Sequence, residues 1–457
     1  MLLFGIYFPG RLGTHVLEGF VKGEGAMRHI NRLMPLGLTL SLAAILSACN
    51  MPASGGGPTP LPLAATSTPH SEATALMTNT TSAPEPTGTA TMLPQPAVTP
   101  IAHLAPGSDF DLTWVSMVST NQGWGIGGLS GGADHVLRTQ DGGVTWRDVT
   151  PPQAADVGMV QAASAFFLDS QTGWVLFHPQ DMLSGGSMPL IVWRTLDGGS
   201  SWSASQPLAV DLSGATVALP GLRFIDSQTG WIMLDLGAAG MHRYPMYLLR
   251  SDDGGSNWQT LIDPYNAVYL QSCSKTGWTF YANTGLASIG SCPIDSAAID
   301  WSSDSGLTWT EIRLPFSSSY SSLAGNAGCD AHSPFLRSTT SWVVAMDCRT
   351  FDDPPQDLHF LYQTTDEGAS WSIGEYPGGA LYFLDIQNGW AFGNTIYRTM
   401  DGGSSWSAIS TVIWDGQFSV VDAQNIWAVA NSGTQYALVK SSNGGSSWAI
   451  IDAQIVP

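Results

Sequence analysis

The sequence predicts an all-β fold, a seven-bladed β-propeller of four-stranded blades. Three observations carry this reading. An Asp-Gly turn motif occurs seven times, a Gly-Trp motif alternates strictly with it, and no long stretch after residue 106 shows a 3.6-residue apolar period.

The first motif is Ser/Thr-x-Asp-x-Gly-x-x-Trp. Its copies are Thr139–Trp146, Thr195–Trp202, Ser251–Trp258, Ser302–Trp309, Thr364–Trp371, Thr399–Trp406 and Ser441–Trp448. The recurring polar residues are Asp141, Asp197, Asp253, Asp304, Asp366, Asp401 and, in the last copy, Asn443. Gly reaches positive φ without steric cost, and an Asp carboxylate accepts backbone N–H bonds across a tight turn. Apolar residues lead in, as in Val136-Leu137-Arg138-Thr139, and a Trp leads out, so each copy reads as strand, turn, strand. The second motif is a polar turn that ends at Trp124, Trp174, Trp231, Trp278, Trp342, Trp390 and Trp427, with Ser341 and Ile426 in place of its Gly in two copies. It also joins two strands. Each repeat therefore holds four, with the Gly-Trp turn between the first and second and the Asp turn between the third and fourth. The Asp turns lie 35 to 62 residues apart, the period of propeller blades.

The two motifs hold 14 of the 18 Trp residues, and their fixed register makes these rings packing between blades rather than sugar platforms. Arg138, Arg194, Arg250, Arg398 and Lys440 each precede their box by one residue and read as structural for the same reason.

The N-terminal region reads as an address. Arg28 and Arg32 form a positive segment, Leu36 to Ser47 is a short apolar run, and Leu46-Ser47-Ala48-Cys49 matches the bacterial lipobox. Residues 27–48 are then a lipoprotein signal peptide and Cys49 the lipidated first residue. A run of about 12 apolar residues is too short for the ~20 of a membrane-spanning helix. Residues 1–26 fit no part of this scheme and read as untranslated, with the start at Met27. Residues 49–106 read as a flexible linker: from 51 to 106 there are 11 Pro and 11 Thr, and Glu72 and Glu85 are the only charges. The expected location is the extracytoplasmic side of the cell membrane, with the propeller at 107–457.

Loss of residues 1–49 removes Glu18, Glu24, Arg11, Lys22, Arg28 and Arg32, leaving 34 acidic and 12 basic residues and a net charge of −22. That charge argues against nucleic acid or anionic lipid as the main partner. Four cysteines follow Cys49. Cys273 and Cys292 are 19 residues apart, as are Cys329 and Cys348, so local disulfides are the favoured of three pairings. The spacing of His and Cys supports no metal site, no phosphate loop appears, and no cofactor is expected.

In an antiparallel meander both motif turns share one face, and the variable connections share the other. From the Gly-Trp tryptophan to the box Asp takes 23, 22, 26 and 24 residues in blades two to five, against 17, 11 and 16 in blades one, six and seven. Variable loops on a rigid scaffold are where binding lives. The binding candidates on this loop face are His178, His242, Arg243, Arg349, Asp352, Asp353 and Asp357, with Asp181, Tyr244, Tyr281, Asp330, His332 and His359 beside them.

The Asp turns match the bacterial neuraminidase repeat, or Asp box. The fuller unit, Asp385-Ile386-Gln387-Asn388-Gly389-Trp390 followed by Arg398-Thr399-Met400-Asp401-Gly402-Gly403-Ser404-Ser405-Trp406, resembles the photosystem II assembly and stability factor family. The resemblance covers about residues 108–457. It implies a non-catalytic propeller that scaffolds membrane-protein assembly and binds a protein or glycan partner on the loop face. The alternative is a glycoside hydrolase of sialidase-like or xyloglucanase-like type, although the Phe/Tyr-Arg-Ile-Pro motif usual in sialidases is absent. Three basic side chains converging on the axis would mark a sialidase-like site.

Overall fold

A computed structural model describes residues 100–153, 161–179, 189–212, 220–240, 243–267, 269–290, 297–433 and 435–457. The proposed signal, Cys49 and nearly all of the linker lie outside them, as do Asp181, His242 and Cys292. The described residues form seven antiparallel sheets in a propeller ring. Blade one is β1 (Asp111–Met117), β2 (Gly123–Gly128), β3 (His135–Thr139) and β4 (Thr145–Asp148). Blade two is β5 (Gln161–Phe167), β6 (Gly173–Pro179), β7 (Val192–Thr195) and β8 (Ser203–Ala204). Blade three is β9 (Gly221–Phe224), β10 (Gly230–Asp235), β11 (Met246–Ser251) and β12 (Gln259–Ile262). Blade four is β13 (Ser274–Tyr281), β14 (Thr284–Gly290), β15 (Ala298–Ser302) and β16 (Thr310–Arg313). In blade five the inner strand is split into β17 (Ala327–Ala331) and β18 (Phe335–Leu336), followed by β19 (Trp342–Thr350), β20 (Asp357–Thr364) and β21 (Ser372–Glu375). Blade six is β22 (Ala380–Phe383), β23 (Gly389–Phe392), β24 (Thr395–Thr399) and β25 (Ser407–Thr411). Blade seven is β26 (Asp415–Val420), β27 (Ile426–Ser432), β28 (Gln435–Ser441) and β29 (Ala449–Ile450).

The first strand of each blade is innermost, where neighbouring blades touch, and the fourth strands are mostly exposed. The two motif turns of each blade meet on one face. An amide of the Asp turn donates to a carbonyl of the preceding turn in every blade, as in Gly142 N to Asn121 O (2.8 Å), Gly254 N to Gln228 O (2.7 Å) and Ser305 N to Asn283 O (2.8 Å). The long connections therefore leave from the opposite face.

The ring closes between blades seven and one. Strand β30 (Gln454–Val456) pairs in parallel with β4 as a fifth, outer strand. On the inner side Gln417 both accepts from Val115 N (2.8 Å) and donates to Val115 O (3.1 Å), and Met117 N donates to Ser419 Oγ (2.8 Å). The segment before β1 is strapped over blade one by Leu104 N on Asp148 Oδ2 (2.8 Å) and by His135 Nε2 at Ala102 O (3.1 Å).

Two Gly-Trp copies depart from the sequence expectation. In blade four the Gly277-Trp278 pair lies inside β13, and the true turn is at Ala282-Asn283, so Gly285 faces Ser302 and Leu286 takes the tryptophan position. In blade five Trp342, not Ser341, occupies the glycine position opposite Thr364. Side chains alternate along a strand, so this one-residue offset turns Trp342 backwards toward blade four. There it packs with Leu286, Ile299 and Trp301 and fills the space that a forward-pointing indole from blade four would have taken.

The closing strand gives a direct test. Ile455 is buried and Ile450, five residues earlier, is 76% exposed. Chemical denaturation should show Ile455→Ala costing about 2–5 kcal/mol, and Ile450→Ala within about 0.5 kcal/mol of the parent. Equal effects would count against closure through β30.

Candidate functional site

The Asp-box carboxylates are consumed within their own turns. Asp141 Oδ1 accepts from Thr139 Oγ1 (3.0 Å) and Thr145 N (2.9 Å), Oδ2 accepts from Thr145 Oγ1 (2.6 Å), and Gly143 N donates to Thr139 Oγ1 (2.9 Å). The pattern repeats at Asp197, Asp253, Asp304, Asp366 and Asp401. Asn443 reproduces it, its Nδ2 donating to Ser447 Oγ (2.8 Å). The recurring cations stack on indoles: Arg138 on Trp124, Arg194 on Trp174, Arg250 on Trp231, Arg398 on Trp390 and Lys440 on Trp427.

The described binding candidates are spread over blades two, three and five. His178 is 1% exposed, with Nε2 3.3 Å from Ser164 Oγ, so it is an interior residue of β6. Arg243 is bound to the chain, Nη2 donating to Pro264 O (3.1 Å). Arg349 and Asp357 form an exposed ion pair (3.2 Å) across β19 and β20, and Asp352 and Asp353 lie exposed in the connection between those strands. Connection length placed His178 on a loop, but β6 runs further than its motif and carries it into the sheet.

Blade five instead assembles a polar line across its sheet on the side facing blade six. Asp347 on β19 is the node. His332 Nε2, just past β17, lies 2.8 Å from Asp347 Oδ2. His359 Nδ1, opposite Asp347 on β20, lies 2.7 Å from Oδ1, and Tyr376 OH donates to the same oxygen at 2.6 Å. The side chains of His332, Asp347 and His359 are 45%, 32% and 31% exposed, so solvent reaches the line. Burial alone would raise the Asp347 pKa, but His332, Tyr376 and His359 outweigh it and hold it at about 2. Burial likewise opposes charge on His332, yet the Asp347 carboxylate wins and raises its pKa, with Asp330 adding to the effect. Burial and Asp347 together keep Tyr376 protonated. An imidazole oriented by an ionised carboxylate is equipped to take up and release a proton. The sequence pointed to His332 and His359 separately. Asp347 and Tyr376 carried no motif, and only the strand register brings them together.

Other polar groups are accounted for differently. Lys275 and Asp300 form an interior ion pair (3.1 Å), and Lys275 Nζ also donates to Ser272 O (2.7 Å). Among the described basic residues only Arg223 and Lys275 sit on innermost strands, so the converging basic triad of a sialidase-like site is not assembled there. A cavity of about 530 Å³ at blade one is lined by Ser108, Asp109, Phe110, Asp111, Leu129 and Ser130. No group of three or more His, Cys, Asp or Glu among the described residues is arranged to hold a metal ion.

The boxes predict a pH dependence. Hydrogen bonds from Ser370 and Ser405 lead in holding Asp366 and Asp401 at about 2. A depressed folded-state pKa means that this stabilisation is complete above about pH 4 and fades as pH falls toward about 2. Asp401→Asn, which copies the Asn443 box, should make the melting temperature fall less steeply over that interval. Parallel melting curves for parent and variant would contradict the assignment.

No family model matches the chain, and no curated protein does. Solved structures do. A GH74 enzyme of Niastella koreensis aligns at 13% identity over 74% of this chain and 69% of its own, with a TM-score of 0.29. A PL25 ulvan lyase bound to its sugar aligns at 12% over 77% and 97%, with a TM-score of 0.43. An α-L-arabinanase of Penicillium chrysogenum aligns at 10% over 59% and 89%, with a TM-score of 0.40. Identity this low gives no residue-by-residue correspondence, and the blade-five site stands on its own geometry.

Proposed function

We propose that this chain is a lipid-anchored, extracytoplasmic propeller that binds a glycan at the loop end of blade five and cleaves it with His332 as the proton-transfer group. The observation that carries this reading is the Asp347 node. Asp347 is held ionised by His332, Tyr376 and His359, and in return it makes the His332 imidazole, 2.8 Å away at a place solvent reaches, more basic. In this reading His332 either takes the proton of the attacking water, the leaving oxygen being protonated from solvent, or takes the proton of the sugar carbon and returns it to the leaving oxygen as the bond breaks by elimination, while Asp347 fixes its orientation. Tyr376 and His359 keep Asp347 in place. A glycan is the substrate class because a tethered protein outside the membrane meets polysaccharides there, and because the Asp-box architecture resembles that of glycan-cleaving enzymes.

A second reading, a non-catalytic scaffold resembling photosystem II assembly factors, is favoured by the exposed side chains of the loop face. Phe351 is 72% exposed at the end of β19, beside the Arg349 and Asp357 pair, as an anchor for a protein partner would be.

A screen of the detergent-solubilised full chain against neutral and uronic-acid polysaccharides, read by reducing ends and by absorbance of unsaturated sugars, separates the two. Turnover should fall by about 10²–10⁴-fold in His332→Asn and in Asp347→Asn, and stay within twofold in Asp401→Asn. No turnover on any glycan would leave the scaffold reading standing, and turnover indifferent to His332 would overturn the blade-five site.

A further inference from the structure

The inner strand of blade five is broken at the residue that the site depends on. β17 ends at Ala331 and β18 begins at Phe335, with Pro334, which has no N–H to give a ladder, in the gap. A broken inner strand of five residues has little of its own to keep it in place. Contacts from blade four and from β19 converge on it. The disulfide between Cys329 and Cys348 joins β17 to β19 at a directly opposed pair, and the next pair along is Asp330 opposite Asp347. From blade four, Thr276 Oγ1 donates to the Ala331 carbonyl and Ser288 Oγ donates to the His332 carbonyl. Gly277 lies so close to Ser333 that a β-carbon there would overlap its hydroxyl. His332 N, finally, donates to Ala345 O on β19 (2.8 Å).

We propose that the Cys329–Cys348 disulfide and the Thr276 and Ser288 hydroxyls are positioning residues that hold His332 against Asp347. This rests on the blade-five site being the functional one. None of the four touches the side chains of the polar line. Each acts on the backbone that carries His332 or on the strand pair that faces it. The covalent tie sets the register of β17 on β19, and with it the separation of His332 from Asp347. The two hydroxyls set the direction in which the chain leaves β17, which decides where the imidazole points. Of the other charged and polar groups around this pair, Asp330 travels with His332 at the end of β17, whereas His359 and Tyr376 reach Asp347 from β20 and from just past β21, which the disulfide does not tie. An oxidising compartment, expected outside the membrane, keeps the tie closed.

The test reads the His332 imidazole directly, by NMR titration of the full chain, with its signal assigned by loss in His332→Asn. In the parent His332 should titrate above the ordinary value of about 6.5. Replacement of both cysteines, Cys329→Ser with Cys348→Ser, should bring it back toward that value. The pair Thr276→Val with Ser288→Ala should do the same with the disulfide intact, so the result does not depend on a stability loss from the missing disulfide. Thr276→Ser, which keeps the hydroxyl, should titrate as the parent does. If Asp347→Asn lowers the His332 titration while the cysteine and hydroxyl variants leave it unchanged, the positioning role is wrong and the site survives. If Asp347→Asn leaves it unchanged, the His332–Asp347 pairing itself is wrong, and the positioning role falls with it.

Discussion

The ring depends on one interaction repeated between blades: an indole buried on the second strand whose N–H reaches a backbone carbonyl of the next blade. Trp174 Nε1 donates to Gly254 O (2.7 Å), Trp231 to Ser305 O (2.9 Å), Trp390 to Gly444 O (2.9 Å) and Trp427 to Gly142 O (2.8 Å). All four acceptors lie in Asp-box turns. The carboxylate cage shapes the turn, the turn presents the carbonyl, and the indole crosses to it with a Phe or a cation against its face, as in the Trp174–Phe224 stack at 3.7 Å. A four-stranded sheet has two faces to cover, and only its neighbours can cover them. The two motifs are therefore halves of a single contact in these four blades.

Where the contact fails, the fold compensates. Leu286 cannot span the gap from blade four to blade five, and Trp342 reverses to fill it. The box of blade five has Gln363 where four others have Arg, so Gln363 Nε2 donates to Gly402 O (3.0 Å), and Arg337 from the preceding turn covers Phe383 instead. These irregularities all involve blade five, and the polar line through Asp347 lies in the same blade. The association has a physical basis. Regular blades fill the space between them with apolar side chains and leave no room for solvent-reaching polar groups, whereas a broken inner strand opens that space.

Much of the architecture was legible in the sequence. The blade number, the four strands per blade, the shared face of the two turns and the structural nature of Asp141 and its counterparts follow from turn chemistry and period. The site was legible only in fragments. His332 and His359 were named only as loop-face residues beside the main candidates, and they are 27 positions apart with nothing in the sequence to connect them. Asp347 reads as one apolar-flanked acid on a strand, and Tyr376 as a residue after a box. His178 looked like a loop residue because connection length cannot say where a strand ends, whereas Arg243 does lie in the connection between β10 and β11.

By itself the sequence determined what is local: which four-residue turns close, which residues face opposite sides of a strand, and how often the unit repeats. Tertiary structure decided what depends on register between strands far apart in the chain. A Gly-Trp pair marks a turn in blade three and lies inside a strand in blade four, because the choice between Trp278 and Leu286 for the buried position is made by the shape of the neighbouring blade. The meeting of His332, Asp347, His359 and Tyr376 is likewise set by the pairing of β17, β19 and β20 and by the residue after β21. A shift of one residue in any pairing would send the side chain to the opposite face.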